Sequence, residues 1–182
     1  MPVRKGTAIW EGTLTDGKGT VKTATGTLSA PYSFSSRFED GKGTNPEELL
    51  AAAHAGCFTM KLSGDLTEAG YTPDQLETES TVTLEDGVIR QSALVLRAKV
   101  SGIGEEEFQK IAKGAEENCP VSKALSFEIT LLGLYGSTFT RHPGCQCGAV
   151  LCQRATQSTP GAAGWLAIRS GTGSGHIYSF CR

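Results

Sequence analysis

The chain has almost no surplus of charge: 17 lysines and arginines stand against 19 aspartates and glutamates, a formal net charge of −2. That balance removes the broad positive footprint of a nucleic-acid-binding surface, so no nucleic acid is expected as a partner. Long hydrophobic runs are missing as well. The opening Met1-Pro2-Val3-Arg4-Lys5-Gly6-Thr7-Ala8-Ile9-Trp10 lacks the apolar stretch of a secretory signal, and no later segment reaches membrane-spanning length without a charge. The expectation is a soluble, cytoplasmic protein with no membrane partner. Internal repeats are absent. From Thr140 onward there is no Asp, Glu or Lys, and only Arg141, Arg154, Arg169 and Arg182 carry charge. The chain thus has two compositions, with the acidic excess confined to the first.

With 182 residues there is enough length for one domain with a sizeable core, but not for two of full size. From Thr7 to Phe38, short alternating runs are separated by Asp16-Gly17-Lys18-Gly19, Gly26 and Pro31, which predicts a β-meander. Thr44-Asn45-Pro46-Glu47-Glu48 is a helix start: Asn45 caps, Pro46 takes the first helical position, and Glu48 lies three residues past the cap. The long helix that follows is apolar nearly all round, through Leu49, Leu50, Ala51 to Ala53, Ala55, Cys57, Phe58, Met60 and Leu62, which suits burial. Gly70 and Pro73 end it. Leu76 to Leu84 and Val88 to Val100 alternate on either side of Glu85-Asp86-Gly87 and predict an antiparallel hairpin. A second helix is expected from about Glu105 to Glu116, burying Phe108, Ile111, Ala112 and Ala115. Pro120 then opens a short helix toward Leu125, and Phe127 to Leu134 forms a last strand. The order predicts an α+β domain with helices packed on antiparallel sheet. We assign it residues 1–137; residues 138–182 read as a low-complexity tail, disordered or not native to the domain.

Six cysteines in a reducing compartment argue for catalytic, metal-binding or incidental roles rather than a disulfide framework. Two stand out: Cys57, in the middle of the long apolar helix, and Cys119, at Glu117-Asn118-Cys119-Pro120-Val121-Ser122. A thiol oxidised in each turnover needs a low-pKa setting and a second thiol to carry the oxidation onward, so the pair points to redox catalysis. Arg37-Phe38, then Gly43-Thr44-Asn45-Pro46-Glu47-Glu48-Leu49, then Ala52-Ala53-His54-Ala55-Gly56-Cys57-Phe58, and Cys119-Pro120-Val121-Ser122 together strongly resemble the OsmC branch of the OsmC/Ohr family, thiol-dependent peroxidases that reduce organic hydroperoxides. The resemblance covers about residues 1–137. It implies a peroxidatic Cys57, a resolving Cys119, an assisting Arg37, a Glu47 that orients the arginine, and an intertwined homodimer.

Physical reasoning runs beside that resemblance. A thiol is only a few per cent ionised at neutral pH, and burial reduces this further, so Cys57 needs a cation. Arg37 is the best candidate, because a guanidinium stays protonated when desolvated and can bond both a thiolate and a peroxide oxygen. Glu47 and Cys57 lie ten residues apart on one helix, hence about 15 Å along its axis. They cannot share a site within one subunit. If both serve one centre, Glu47 comes from the partner subunit, with the two long helices antiparallel across a twofold axis. Cys119, at a helix N-terminus, gains from free backbone N–H groups. In the cycle this implies, Cys57 attacks the outer peroxide oxygen, an alcohol is released, and the Cys57 sulfenic acid condenses with Cys119. An external dithiol then reopens the disulfide, and no cofactor or metal is expected. Phe34, Phe38, Phe58 and Met60 are candidates for an entrance, and a preference there for organic peroxides is what the resemblance implies.

Competing readings attach to particular residues. His54, three residues before Cys57, suggests a Cys-His thiol hydrolase, but no third orienting residue is apparent and Cys119 would have no task. Cys145, Cys147 and Cys152, with His142 and Cys181, suggest a zinc-binding or regulatory redox sensor, but they offer only a loose Cys-x-Cys where structural zinc sites show paired short spacings. Gly41-Lys42-Gly43-Thr44 has the look of a phosphate loop but lacks the preceding glycine, so it reads as a turn before a helix.

Overall fold

A computed structural model describes residues 2–135. The first three strands, β1 (Gly6–Glu11), β2 (Lys18–Thr23) and β3 (Ser29–Ser33), form the expected antiparallel meander in the order β1-β2-β3. The meander stops short of Phe38. Ser33 and Ser36 exchange hydrogen bonds, the Ser36 N–H donating to Ser33 Oγ at 3.2 Å and the Ser33 N–H to Ser36 Oγ at 2.9 Å. This reciprocal cap nucleates a short helix, α1 (Phe34–Phe38), where extended chain was predicted. Serine in place of the usual Glu or Gln at the third position hides the signal in the sequence. Gly43 then turns the chain with φ 131°, and an added Cβ there would lie 2.7 Å from the Pro31 carbonyl oxygen. Only glycine fits both the conformation and the space.

The long helix α2 (Pro46–Glu68) begins as its sequence dictates: Asn45 Oδ1 accepts the Glu48 N–H at 2.8 Å and Pro46 occupies the first turn. Asn45 Nδ2 also donates to the Ser36 carbonyl at 3.0 Å, fastening α1 to the start of α2. One face of α2, with His54, Phe58, Leu62 and Leu66, is buried. The opposite face is not: Ala52, Ala53 and Gly56 are exposed, and Met60 is 79% exposed. The all-round apolar character therefore serves one face within the chain and leaves another uncovered.

After α2, β4 (Pro73–Glu85) and β5 (Val88–Val100) form the predicted hairpin, closed by Asp86 at φ 51° and Gly87 at φ 75°, the two positive angles of a primed turn. Next come α3 (Glu105–Asn118), α4 (Pro120–Ala124) and β6 (Glu128–Tyr135). Strand β6 pairs parallel to β5, so the second sheet, ordered β4-β5-β6, is mixed rather than antiparallel. The connection through α3 and α4 returns the chain to the starting end of β5, as a helical crossover must. The core is built from α2, β5, α3 and their connections: Phe58, Leu62, Leu66, Leu94, Leu96, Ala98, Val100, Ile103, Phe108, Ala112, Ala115 and Cys119. Of the predicted α3 stripe, Ile111 is only partly buried against this core. The meander supplies none of these residues. No described helix is long and apolar enough to cross a membrane. The expected boundary at residue 137, the tail beyond it and its Cys145, Cys147, Cys152, Cys181 and His142 lie outside the described residues.

Candidate functional site

The fold brings Cys57 and Cys119 together. Cys57 lies midway along α2 on a partly buried turn, and Cys119 is the fully buried residue at which α3 ends and α4 begins. Cys57 packs against the core cluster that contains Cys119, and each thiol acts on the ionisation of the other, although the two residues are far apart in sequence. Pro120 gives α4 its first residue, and the N–H groups of Val121 and Ser122 belong to the opening turn of that helix, next to Cys119.

The two thiols differ in electrostatics. Burial pushes Cys57 up; the Val121 N–H opposes this and the Cys119 thiol adds to it, so Cys57 stands above its ordinary value. Burial also acts upward on Cys119, but the Ser122 N–H, the Cys57 thiol, the Ser122 hydroxyl and the Val121 N–H outweigh it and hold Cys119 below its ordinary value. Within one chain, ionisation therefore favours Cys119. Arg37, the expected cation for Cys57, is not among the groups acting on it.

Arg37 stands with Glu47 instead. From α1 its Nη2 reaches Glu47 Oε1 at 2.7 Å and its Nε lies 3.2 and 3.3 Å from the two carboxylate oxygens, a bidentate pair. Burial acts upward on Glu47, yet the Arg37 hydrogen bonds, its own backbone N–H and the Arg37 charge hold it below the usual carboxylate range. The Glu47 hydrogen bond chiefly keeps Arg37 protonated. The guanidinium also sits 5.1 Å from the centre of the Phe38 ring, which stacks obliquely on Phe34. The four predicted residues thus form two couples, Cys57 with Cys119 and Arg37 with Glu47, at different heights on α2. Of the apolar residues expected at an entrance, Phe34 and Phe38 flank Arg37 and Met60 is exposed, whereas Phe58 is fully buried in the core and lines no entrance in its own chain.

His54 makes no couple with Cys57. Its Nδ1 lies 2.7 Å from Ser92 Oγ and its Nε2 3.0 Å from Ser122 Oγ, so both ring nitrogens are taken. This removes the geometric basis of a Cys-His hydrolase. Ser92 and Ser122 were not singled out from sequence; the only local hint was Ser122, three residues past Cys119 at the head of a helix. Burial holds the His54 pKa down and the ring neutral. The unfolded chain would protonate this histidine near its ordinary value of about 6.5, and the folded chain would not. Stability is therefore expected to be complete above that pH and to fall below it, by up to about 1.4 kcal/mol per pH unit for one proton. Urea unfolding between pH 7 and 5.5 measures this slope, and a His54→Gln protein should lack its contribution.

The α+β fold thus sets two free thiols between a long helix and a helix N-terminus, with an arginine–carboxylate pair on the same scaffold. The description of the family model that matches residues 39–131 is OsmC-like protein. The chain is 48% identical over 133 residues to Peroxiredoxin OsmC of Escherichia coli (strain K12), an alignment covering 70% of this chain and 93% of that protein. Among solved structures, an OsmC-like protein from Mycoplasma pneumoniae matches with a TM-score of 0.60 at 14% identity, over 74% of this chain and 97% of that one. The organic hydroperoxide resistance protein OhrB of Bacillus subtilis matches with a TM-score of 0.53 at 23% identity, over 71% and 98%. The chain belongs to the OsmC family.

Proposed function

We propose that the chain is a homodimeric thiol peroxidase of a reducing, cytoplasmic compartment, which reduces organic hydroperoxides through Cys57 and Cys119 and is recycled by an external dithiol without metal or prosthetic group. The observation that carries this reading is the nearness of the two free thiols, packed at one place in the core. Cys57 attacks the outer peroxide oxygen, the alcohol is released, and the resulting sulfenic acid meets Cys119 without a large rearrangement. The 48% identical relative bears the name peroxiredoxin, which supports peroxide chemistry. The name of the Bacillus subtilis protein supports organic hydroperoxides as the substrate class.

Three features support the dimer. The exposed face of α2 with Ala52, Ala53, Gly56 and Met60 is narrow enough in its side chains for a second helix to approach closely. The meander shares no core residue with the rest of its chain. Arg37 is fixed to Glu47, about 15 Å along α2 from Cys57. With two α2 helices antiparallel across a twofold axis, each Arg37–Glu47 couple reaches the other subunit's Cys57. The added positive charge reverses the single-chain order of ionisation and favours the Cys57 thiolate; a shift of two pKa units corresponds to about 2.7 kcal/mol.

Intact-protein mass spectrometry after one equivalent of cumene hydroperoxide tests the reading. The expected product has lost two hydrogens, with the new disulfide mapped to Cys57 and Cys119. Oxidation confined to the cysteines from Cys145 onward would overturn it.

A further inference from the structure

The geometry points to Ser36, acting with Asn45, as a positioning residue for Arg37: the two side chains close the neck of the loop that carries the arginine and so set its guanidinium against Glu47, with a consequence for turnover that rests on the peroxidase reading. Two bonds cross this neck in opposite directions. The Ser36 hydroxyl donates to the Thr44 carbonyl at 2.8 Å, and Asn45 Nδ2 donates to the Ser36 carbonyl at 3.0 Å. A hydroxyl has one proton, and of the two carbonyl oxygens within its reach, Thr44 at 2.8 Å and Ser33 at 3.1 Å, the closer lies across the neck. Residues 37–43, the end of α1 and the turn after it, are thereby shut into a loop. Arg37 is its first residue, and Glu47 follows just beyond Asn45. The base of the loop is fastened to β3 as well, since the Thr44 N–H donates to the Pro31 carbonyl at 2.9 Å and Ser36 Oγ accepts the Ser33 N–H at 2.9 Å.

The Arg37–Glu47 pair needs such a frame. The arginine side chain is 38% exposed and the glutamate 11%, so water competes for the guanidinium, and a pair of this kind on a flexible chain contributes little. A loop already closed at its base removes most of the freedom that pairing would otherwise have to freeze. Ser36 suits the task by its enclosure. At 6% exposure its hydroxyl has little access to water, and without it the carbonyl of buried Thr44 loses this partner. Asn45 serves twice, its Oδ1 capping α2 through the Glu48 N–H while its Nδ2 crosses the neck. A shorter capping residue would keep the first contact and lose the second.

Two measurements on the full chain test the assignment. In the first, carbon-13 NMR follows the Glu47 carboxyl, identified by its loss in Glu47→Gln. Burial pushes that carboxyl up and the Arg37 hydrogen bonds bring it below the usual range, so Ser36→Ala and Asn45→Ser proteins, with the arginine no longer held, should titrate Glu47 at higher pH than the parent. In the second, both proteins should oxidise Cys57 about tenfold more slowly under limiting cumene hydroperoxide, the loss of one hydrogen bond whose buried partner stays unpaired. A role confined to stability would lower the urea midpoint and leave both readouts of the folded protein unmoved. Ser36→Thr, which keeps the hydroxyl, should restore both. Should Ser36→Ala not fold, Asn45→Ser carries the same test, because serine still caps α2. Parental Glu47 titration and oxidation rate in the folded variants would overturn the assignment. A parent inert to peroxide whose variants still shift the Glu47 titration would sink the peroxidase reading and keep the positioning role.

Discussion

Replacing Cys57 by serine is expected to bring peroxide turnover down to the uncatalysed level, a loss of at least about a thousandfold, of the size seen when a covalent nucleophile is removed. A serine hydroxyl is neither ionised at neutral pH nor able to hold the oxygen as a sulfenic acid does. Cys119→Ser separates the two halves of the cycle. Without added thiol it should consume one equivalent of cumene hydroperoxide and hold the Cys57 sulfenic acid, which dimedone traps as a mass adduct, where the parent holds a Cys57–Cys119 disulfide. The Cys57→Ser outcome is read by following peroxide loss with dithiothreitol present. Turnover by Cys57→Ser at the parental rate would remove the nucleophile from the argument.

The second large effect concerns Arg37. An Arg37→Met protein should oxidise roughly a hundredfold more slowly, the equivalent of two pKa units of lost thiolate stabilisation. Its partner in the decisive experiment is Cys57→Ser. If each centre is composite, a purified heterodimer of the two variants has one complete centre, formed by the intact Cys57 of the Arg37→Met subunit and the intact Arg37 of the other. It should recover about half the parental activity, as the twofold symmetry dictates. If the centre were built within one subunit, both halves of that heterodimer would be defective and activity would stay near that of the inactive homodimers.

Much of the fold could be read from short-range patterns because the decisive forces are short-range. Asn45, Pro46 and Glu48 start α2 through bonds spanning three residues, and Asp86-Gly87 closes the β4–β5 hairpin because its turn needs two positive φ angles. Helix α1 was missed because two serines perform a capping exchange usually signalled by Glu or Gln. The parallel docking of β6 was missed for a different reason: strand direction is set by the crossover through α3 and α4, not by any residue within the strand. The same division holds at the site. Cys57 and Cys119 stand out by type and context, Arg37 and Glu47 are implied by the family resemblance, and helix geometry separates Glu47 from Cys57 by about 15 Å. The His54 contacts span 38 and 68 residues, and of the two serines only Ser122, at a helix head, carries any local hint. Only the folded chain reveals them.

In the proposed cycle, the unequal enclosure of the two sulfurs would set the polarity of the reduction. Once the disulfide exists, an incoming dithiol can approach the sulfur of half-buried Cys57, while that of Cys119 is sealed inside the core. Attack at Cys57 expels Cys119, and Cys119 is the better leaving group of the two, since its pKa is held down by the helix-start N–H groups and the Ser122 hydroxyl. Burial would thus do more than shelter Cys119: in the proposed cycle it directs the regenerating reductant to form its transient mixed disulfide with Cys57.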